Sequence, residues 1–181
     1  LTVRAVAFAA MGTAGQRCTT LRRLFVNEDI HRPLLDRLRA AYASVRVGDP
    51  RAPETLVGPL IDESAADRMA STLEEARDLG GTVHGGQPVA VGAGGHYAHP
   101  ALVELPAQAG PMLRETCAPI LYGVRYRELD EAIAQHNAVS QGLASSIFTR
   151  DLGEAERFLS PSGSDCGIAN VNLGPSGAEI G

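Results

Sequence analysis

Cys18 is the residue in this sequence best placed for covalent chemistry. It sits in Gly12-Thr13-Ala14-Gly15-Gln16-Arg17-Cys18-Thr19-Thr20, behind an apolar segment and a glycine-containing loop, with Arg17 beside it and Arg22-Arg23 close behind. Nearby positive charge favours thiolate over thiol, and the thiolate is the form that attacks a carbonyl carbon. The competing reading is a buried structural thiol, the common fate of a free cysteine. The loop setting argues instead for a presented sulfur.

Glu115 follows in Arg114-Glu115-Thr116-Cys117-Ala118-Pro119-Ile120, just ahead of a strong strand pattern. A carboxylate there is able to accept two hydroxyl hydrogen bonds from a ribose, although taken alone it also reads as a solvated loop acid. The stretch Asn170 to Gly181 offers backbone N–H groups suited to an anion, and equally suits an irregular loop. His96-x-x-His99 supplies two zinc-binding groups, but no Cys, His or acid at a useful spacing completes a tetrahedral set, so no metal is expected. Gly92 to Gly95 is not Gly-x-Gly-x-x-Gly and precedes no helix, so it reads as a hairpin or surface loop and not as a dinucleotide fingerprint.

The elements that must position these groups alternate. An apolar helix to about Met11 leads to the Cys18 loop and then to a strand at Leu24-Phe25-Val26. Leu34, Leu35, Leu38, Ala41, Tyr42 and Val45 recur at helical spacing from Pro33 to Val45. A second helix is predicted from Ser64 to Leu79, opened by a Ser64-x-x-Asp67 capping box and stopped by Gly80-Gly81. Strands are predicted near Thr82 to His84, Ala101 to Val103, Ile120 to Val124, Ser146 to Phe148 and Ile168 to Val171, with helices at Leu129 to Ile133 and Leu152 to Leu159. This order implies an α/β domain over 1–181, with three α/β/α layers and a mostly parallel sheet. In such sheets functional groups gather at strand carboxyl ends, where Glu115 and the 172–181 loop would fall.

With 181 residues, 44% hydrophobic and 20% charged, the chain is long enough for one substantial core. The net charge of -5 and the lack of a basic run argue against nucleic acid or an anionic membrane as partner. Three widely spaced cysteines without Cys-x-x-Cys disfavour a disulfide framework and point to a reducing, cytoplasmic setting. The apolar start is broken by Arg4 and lacks an initiator Met, so it reads as a helix and not a signal peptide, and the sequence as an excerpt of a longer protein.

Gly15-Gln16-Arg17-Cys18 resembles the catalytic cysteine motif of the aldehyde dehydrogenase superfamily, and Glu115-Thr116-Cys117-Ala118-Pro119 resembles its Glu-x-Phe-x-Pro motif. Gly12 to Thr20, Gln141 to Thr149, Gly163 to Ile168 and Ser176 to Gly181 are similar to the antiquitin branch, which oxidises α-aminoadipic semialdehyde, in equilibrium with piperideine-6-carboxylate. The resemblance implies that Cys18 attacks the aldehyde and that its backbone N–H donates into the oxyanion hole. It implies NAD as cofactor, with NADP not excluded, and Glu115 and Cys117 beside it. Arg17, Thr19, Ser176, Gly177 and Ala178 would meet the substrate, and a homo-oligomer is expected. A carboxylate-bearing substrate gives a physical reason for Arg17.

Two departures follow from the same resemblance. Cys117 stands where the family has an aromatic residue near the nicotinamide, which removes a wall of the cofactor site. The family's general-base Glu, oxyanion-hole Asn and nucleotide-binding domain would fall upstream of Leu1, so the chain alone is expected to turn over little or not at all. Two rival readings are a thiol hydrolase or redox protein, which no His-Asn or His-Asp setting supports, and a non-catalytic assembly module.

Overall fold

A computed structural model describes residues 1–92 and 94–177. Helix α1 (Thr2–Met11) buries Val6, Ala9, Ala10 and Met11 and ends at the turn leading to Cys18. Strand β1 (Arg23–Asn27) runs directly into α2 (Glu28–Ala43). Asn27 caps α2 by accepting from the Asp29 N–H, with Glu28 and Asp29 favourably placed in the first turn. The helix therefore starts five residues before Pro33, which it carries on its exposed side. Leu35, Leu38 and Tyr42 form its buried stripe.

Helix α3 (Glu63–Asp78) is capped by Asp62, whose carboxylate accepts from the Ala65 N–H at 2.7 Å. The Ser64-x-x-Asp67 capping box is thus corrected: the extended backbone at Asp62 puts the start two residues earlier. Then follow β2 (Thr82–Gly85), β3 (Pro88–Val89), β4 (Tyr97–Ala98), β5 (Ala101–Glu104), β6 (Ile120–Tyr126), α4 (Leu129–Asn137), β7 (Ala144–Ile147), α5 (Leu152–Leu159) and β8 (Ile168–Val171).

The main sheet has the order β1-β6-β5-β2, with β6 parallel to both neighbours and β2 antiparallel to β5. One face rests on α2: Leu35 lies against Gly123, and Arg39 pairs with Glu104. The other face meets α3, where Leu73 lies where a side chain on Gly86 would reach, beside Ala101. These are the three layers expected from the alternation. Leu102, Val103, Ile120 and Leu121 are almost wholly shielded between them, each such side chain contributing about 1.5–3 kcal/mol. β3 and β4 pair as the expected hairpin around the glycine run. β7 and β8 pair in parallel but as a separate ribbon, a division the alternation of elements does not reveal. Among the described residues no helix is long and apolar enough to cross a membrane.

Candidate active site around Cys18

The chain leaves α1 through a tight 3-10 turn, Gly12–Gly15, in which Thr13, Ala14 and Gly15 all take positive φ. Two non-glycine residues in that region store strain, which persists only where the surroundings over-determine it. Here the determinant is a backbone-to-backbone contact. A Cβ on Gly15 would lie 2.3 Å from the Ala118 carbonyl oxygen, so the absent side chain lets the Cys18 loop press against the segment that carries Glu115.

Cys18 and Thr19 then form the tip of a turn closed from both sides. The Thr20 N–H donates to the Arg17 carbonyl at 3.1 Å, and the Arg17 N–H donates to Thr20 Oγ1 at 3.1 Å. The turn pushes Cys18 outward, and its residue surface is exposed, which removes the buried-thiol reading. Gln16 braces the loop from behind by accepting from the Ile61 N–H at 2.9 Å and donating to the Pro59 carbonyl at 3.3 Å.

Arg22 joins the two motifs. Its guanidinium donates to Glu115 Oε1 at 3.2 Å, to the Ala118 carbonyl at 3.1 Å and to the Arg17 carbonyl at 3.5 Å. Cys18, Thr19 and Glu115 line a cavity of about 530 Å³ whose walls include β1 and β7. The Glu115 carboxylate is half exposed and held through one oxygen by Arg22, a setting able to accept ribose hydroxyls.

The other expected residues are less uniformly gathered. Arg17 turns back along α1, donating from Nε to Thr13 Oγ1 at 2.8 Å and lying 5.7 Å from the Phe8 ring centre. Ser176, in the turn Pro175–Gly177, directs its hydroxyl to the Thr19 carbonyl at 2.7 Å and the Ala9 carbonyl at 3.2 Å. It thus ties the late loop to the Cys18 loop. Ala178 lies outside the described residues. Cys117 is exposed at φ 54°, and its thiol is pushed up by partial burial and by Glu115, with Arg22 opposing. All three thiols are free.

Sequence reasoning treated Arg22 only as local charge and left Gln16 and Thr20 without a role. Their partners, Glu115, Ile61 and the Arg17 turn, become neighbours only on folding. His96 and His99 join no ligand cluster among the described residues; a Cys–His contact does form, but between Cys166 and His136.

The profile of the aldehyde dehydrogenase family matches residues 1–180. The chain belongs to the aldehyde dehydrogenase family. It is 50% identical over 182 residues to alpha-aminoadipic semialdehyde dehydrogenase of Mus musculus, covering 100% of this chain and 34% of that protein. It is 44% identical to aldehyde dehydrogenase family 7 member A1 of Pisum sativum, covering 100% of this chain and 35% of the relative. The chain therefore spans about a third of the length of the curated relatives it matches.

Among solved structures, PnpE in complex with nicotinamide adenine dinucleotide superposes with a TM-score of 0.90 at 31% identity, over 99% of this chain and 36% of the other. Aldehyde dehydrogenase 21 from Physcomitrella patens, in complex with the reaction product succinate, superposes with a TM-score of 0.87 at 28% identity, over 97% of this chain and 35% of the other. The aldehyde dehydrogenase fold thus accounts for the helix, turn and sheet that carry Cys18.

Proposed function

We propose that this chain is the cysteine-bearing domain of an aldehyde dehydrogenase that oxidises α-aminoadipic semialdehyde to the carboxylic acid with NAD, or with NADP in its place. The supporting observation is the outward presentation of Cys18 on a turn locked to the Glu115 segment by Arg22 and by the bare backbone of Gly15.

In this reading the Cys18 sulfur adds to the aldehyde carbon, forming a thiohemiacetal. The Cys18 backbone N–H, at the tip of its turn, steadies the oxygen as charge develops on it. NAD, when bound, would supply the hydride acceptor that lets the thiohemiacetal become a thioester. Water then cleaves the thioester, releasing the acid and restoring the thiol. Glu115 receives the ribose hydroxyls of the cofactor, and the Arg22 ion pair fixes the direction in which its carboxylate points. Cys117 would stand beside the nicotinamide in this reading.

In this reading Thr19, Ser176, Gly177 and Ala178 would meet the substrate, and the Ser176 hydroxyl donates to the Thr19 carbonyl at 2.7 Å. Arg17 takes the carboxylate of the substrate once its guanidinium leaves Thr13 and the Phe8 ring. The relatives' names motivate the substrate. Free thiols suit a reducing, cytoplasmic setting, and assembly into a homo-oligomer belongs to the same reading.

The deciding experiment is a kinetic comparison in a polypeptide that carries this chain within the full length of its relatives. The expected result is a kcat/KM for α-aminoadipic semialdehyde at least about tenfold above that for a simple aliphatic aldehyde, abolished by Cys18→Ser. Arg17→Gln should erase most of that preference. Retained NADH formation in Cys18→Ser would overturn the catalytic reading, and equal efficiency on both aldehydes would overturn the substrate.

A further inference from the structure

A second chemical cluster lies away from Cys18, toward β1, β7 and β8. We infer that His136, Asp165 and Cys166 form a binding site for a borderline-soft divalent cation of the zinc class. His136 comes from the last turn of α4, and Asp165 and Cys166 from the loop between α5 and β8. One ligand atom from each side chain lies within 4.8 Å of the other two.

The spacing suits coordination. Cys166 Sγ and His136 Nε2 are 3.5 Å apart. Bonds of about 2.3 Å to sulfur and about 2.0–2.1 Å to nitrogen, at a tetrahedral angle, place those two atoms roughly 3.6 Å apart. The pair already stands at the edge length of the polyhedron, and Asp165 needs only a side-chain adjustment at an exposed position to join it.

The backbone carrying the ligands is held in advance. Asn137 donates to the Gly163 carbonyl at 2.8 Å and accepts from the Asp165 N–H at 3.2 Å, which clasps the loop to the end of α4. Ser164 Oγ accepts from the Cys166 N–H at 3.3 Å and contacts Ser145 Oγ of β7 at 2.7 Å. Such supporting bonds orient ligands and lower the ordering cost of binding.

The donor set has chemical consequences. A thiolate, an imidazole and a carboxylate form a mixed S/N/O set that suits zinc over magnesium or calcium, which prefer oxygen alone. Two anionic ligands match a divalent charge. Arg23 is the nearest cation, but its guanidinium donates to Gln108 Oε1 at 2.8 Å and to the carbonyls of Gln135 at 3.2 Å and His136 at 3.0 Å. Its donors are therefore engaged elsewhere and do not fill the ligand position. Burial holds the His136 imidazole below its usual value, with Arg23 adding to that and Asp165 opposing. His136 and Cys166 also line the cavity, so a fourth position faces that space and is open to water or to an anionic ligand.

The test is titration of the purified chain with cobalt(II) under a phosphine reductant. One equivalent should produce a sulfur-to-cobalt charge-transfer band and tetrahedral visible bands, both removed by one equivalent of zinc. Cys166→Ser should lose the charge-transfer band, while Cys18→Ser and Cys117→Ser keep it. Asp165→Asn, a surface change whose fold is checked by circular dichroism, should weaken cobalt binding about tenfold or more. A charge-transfer band that is absent, or that disappears with Cys18→Ser in place of Cys166→Ser, would leave Cys166 and His136 as a hydrogen-bonded pair only and overturn the site.

Discussion

Arg22 and Glu115, 93 positions apart in the sequence, are joined at 3.2 Å, and the same guanidinium also reaches the backbone of both loops they come from. Glu115 is half exposed, so the ion pair itself contributes little after solvent screening; the two carbonyl contacts of the more buried Arg22 matter more. Arg22→Gln is therefore expected to lower stability by about 1–2 kcal/mol in urea unfolding, and Glu115→Gln by under about 0.5 kcal/mol. Equal losses in the two variants would mean that the ion pair, and not the carbonyl contacts, holds the loops.

Gly15 makes the contact between those loops possible. Gly15→Ala adds both a clash with the Ala118 carbonyl and a side chain at φ 67°, and should cost about 3 kcal/mol. Gly12→Ala is its control: at φ -52° a Cβ there meets nothing closer than 3.7 Å, and the change should stay within about 0.5 kcal/mol. Thermal unfolding of the two variants side by side decides the point.

Cys117 should stay a protonated, slowly alkylating thiol through neutral pH, because burial and Glu115 both raise it. A raised thiol keeps its proton to higher pH, so its iodoacetamide rate climbs later than that of an unperturbed thiol. Glu115→Gln removes the negative charge while Arg22 remains, and should speed Cys117 labelling at pH 8 by about two- to fivefold, read peptide by peptide with mass spectrometry. Wild-type chain should label Cys18 well ahead of Cys117 and Cys166; a slower or unchanged Cys117 rate in the variant would count against Glu115 as the raising group.

Cys117→Phe restores the aromatic wall found in the family motif. In a polypeptide of the relatives' length it is expected to lower the dissociation constant for NAD by about three- to tenfold, roughly the value of one aromatic contact. An unchanged constant in equilibrium binding would show that Cys117 takes no part in the cofactor site.

Tyr42 carries a buried hydroxyl with no hydrogen-bond partner among the described residues, and burial pushes its ionisation far above the ordinary tyrosine value. Tyr42→Phe keeps the ring and removes the unpaired group, so stability should rise by about 1 kcal/mol. A loss of similar size in denaturant unfolding would mean that the hydroxyl has a partner in solution.

The helices and strands were legible in the sequence because apolar periodicity is local: Leu35, Leu38 and Tyr42 face one side whichever fold surrounds them. The motifs that make Cys18 and Glu115 candidates were also legible, since they are short and contiguous. Cap choice was less so, because Asp62 and Ser64 are both good caps, and the backbone angle at Asp62 selects between them. The separate β7–β8 ribbon could not be read either, for strand patterns do not state which edge each strand will meet.

By itself the sequence determined the elements, the layered α/β class and the short motifs that make Cys18 and Glu115 candidates, all properties carried within a few residues of chain. Tertiary structure alone decided that Arg22 would bind Glu115, that Ser176 would hold the Thr19 carbonyl, and that Cys166 would meet His136 and not Cys18. Those pairings join segments distant in sequence, and such distances are set only when sheet, helices and loops pack together.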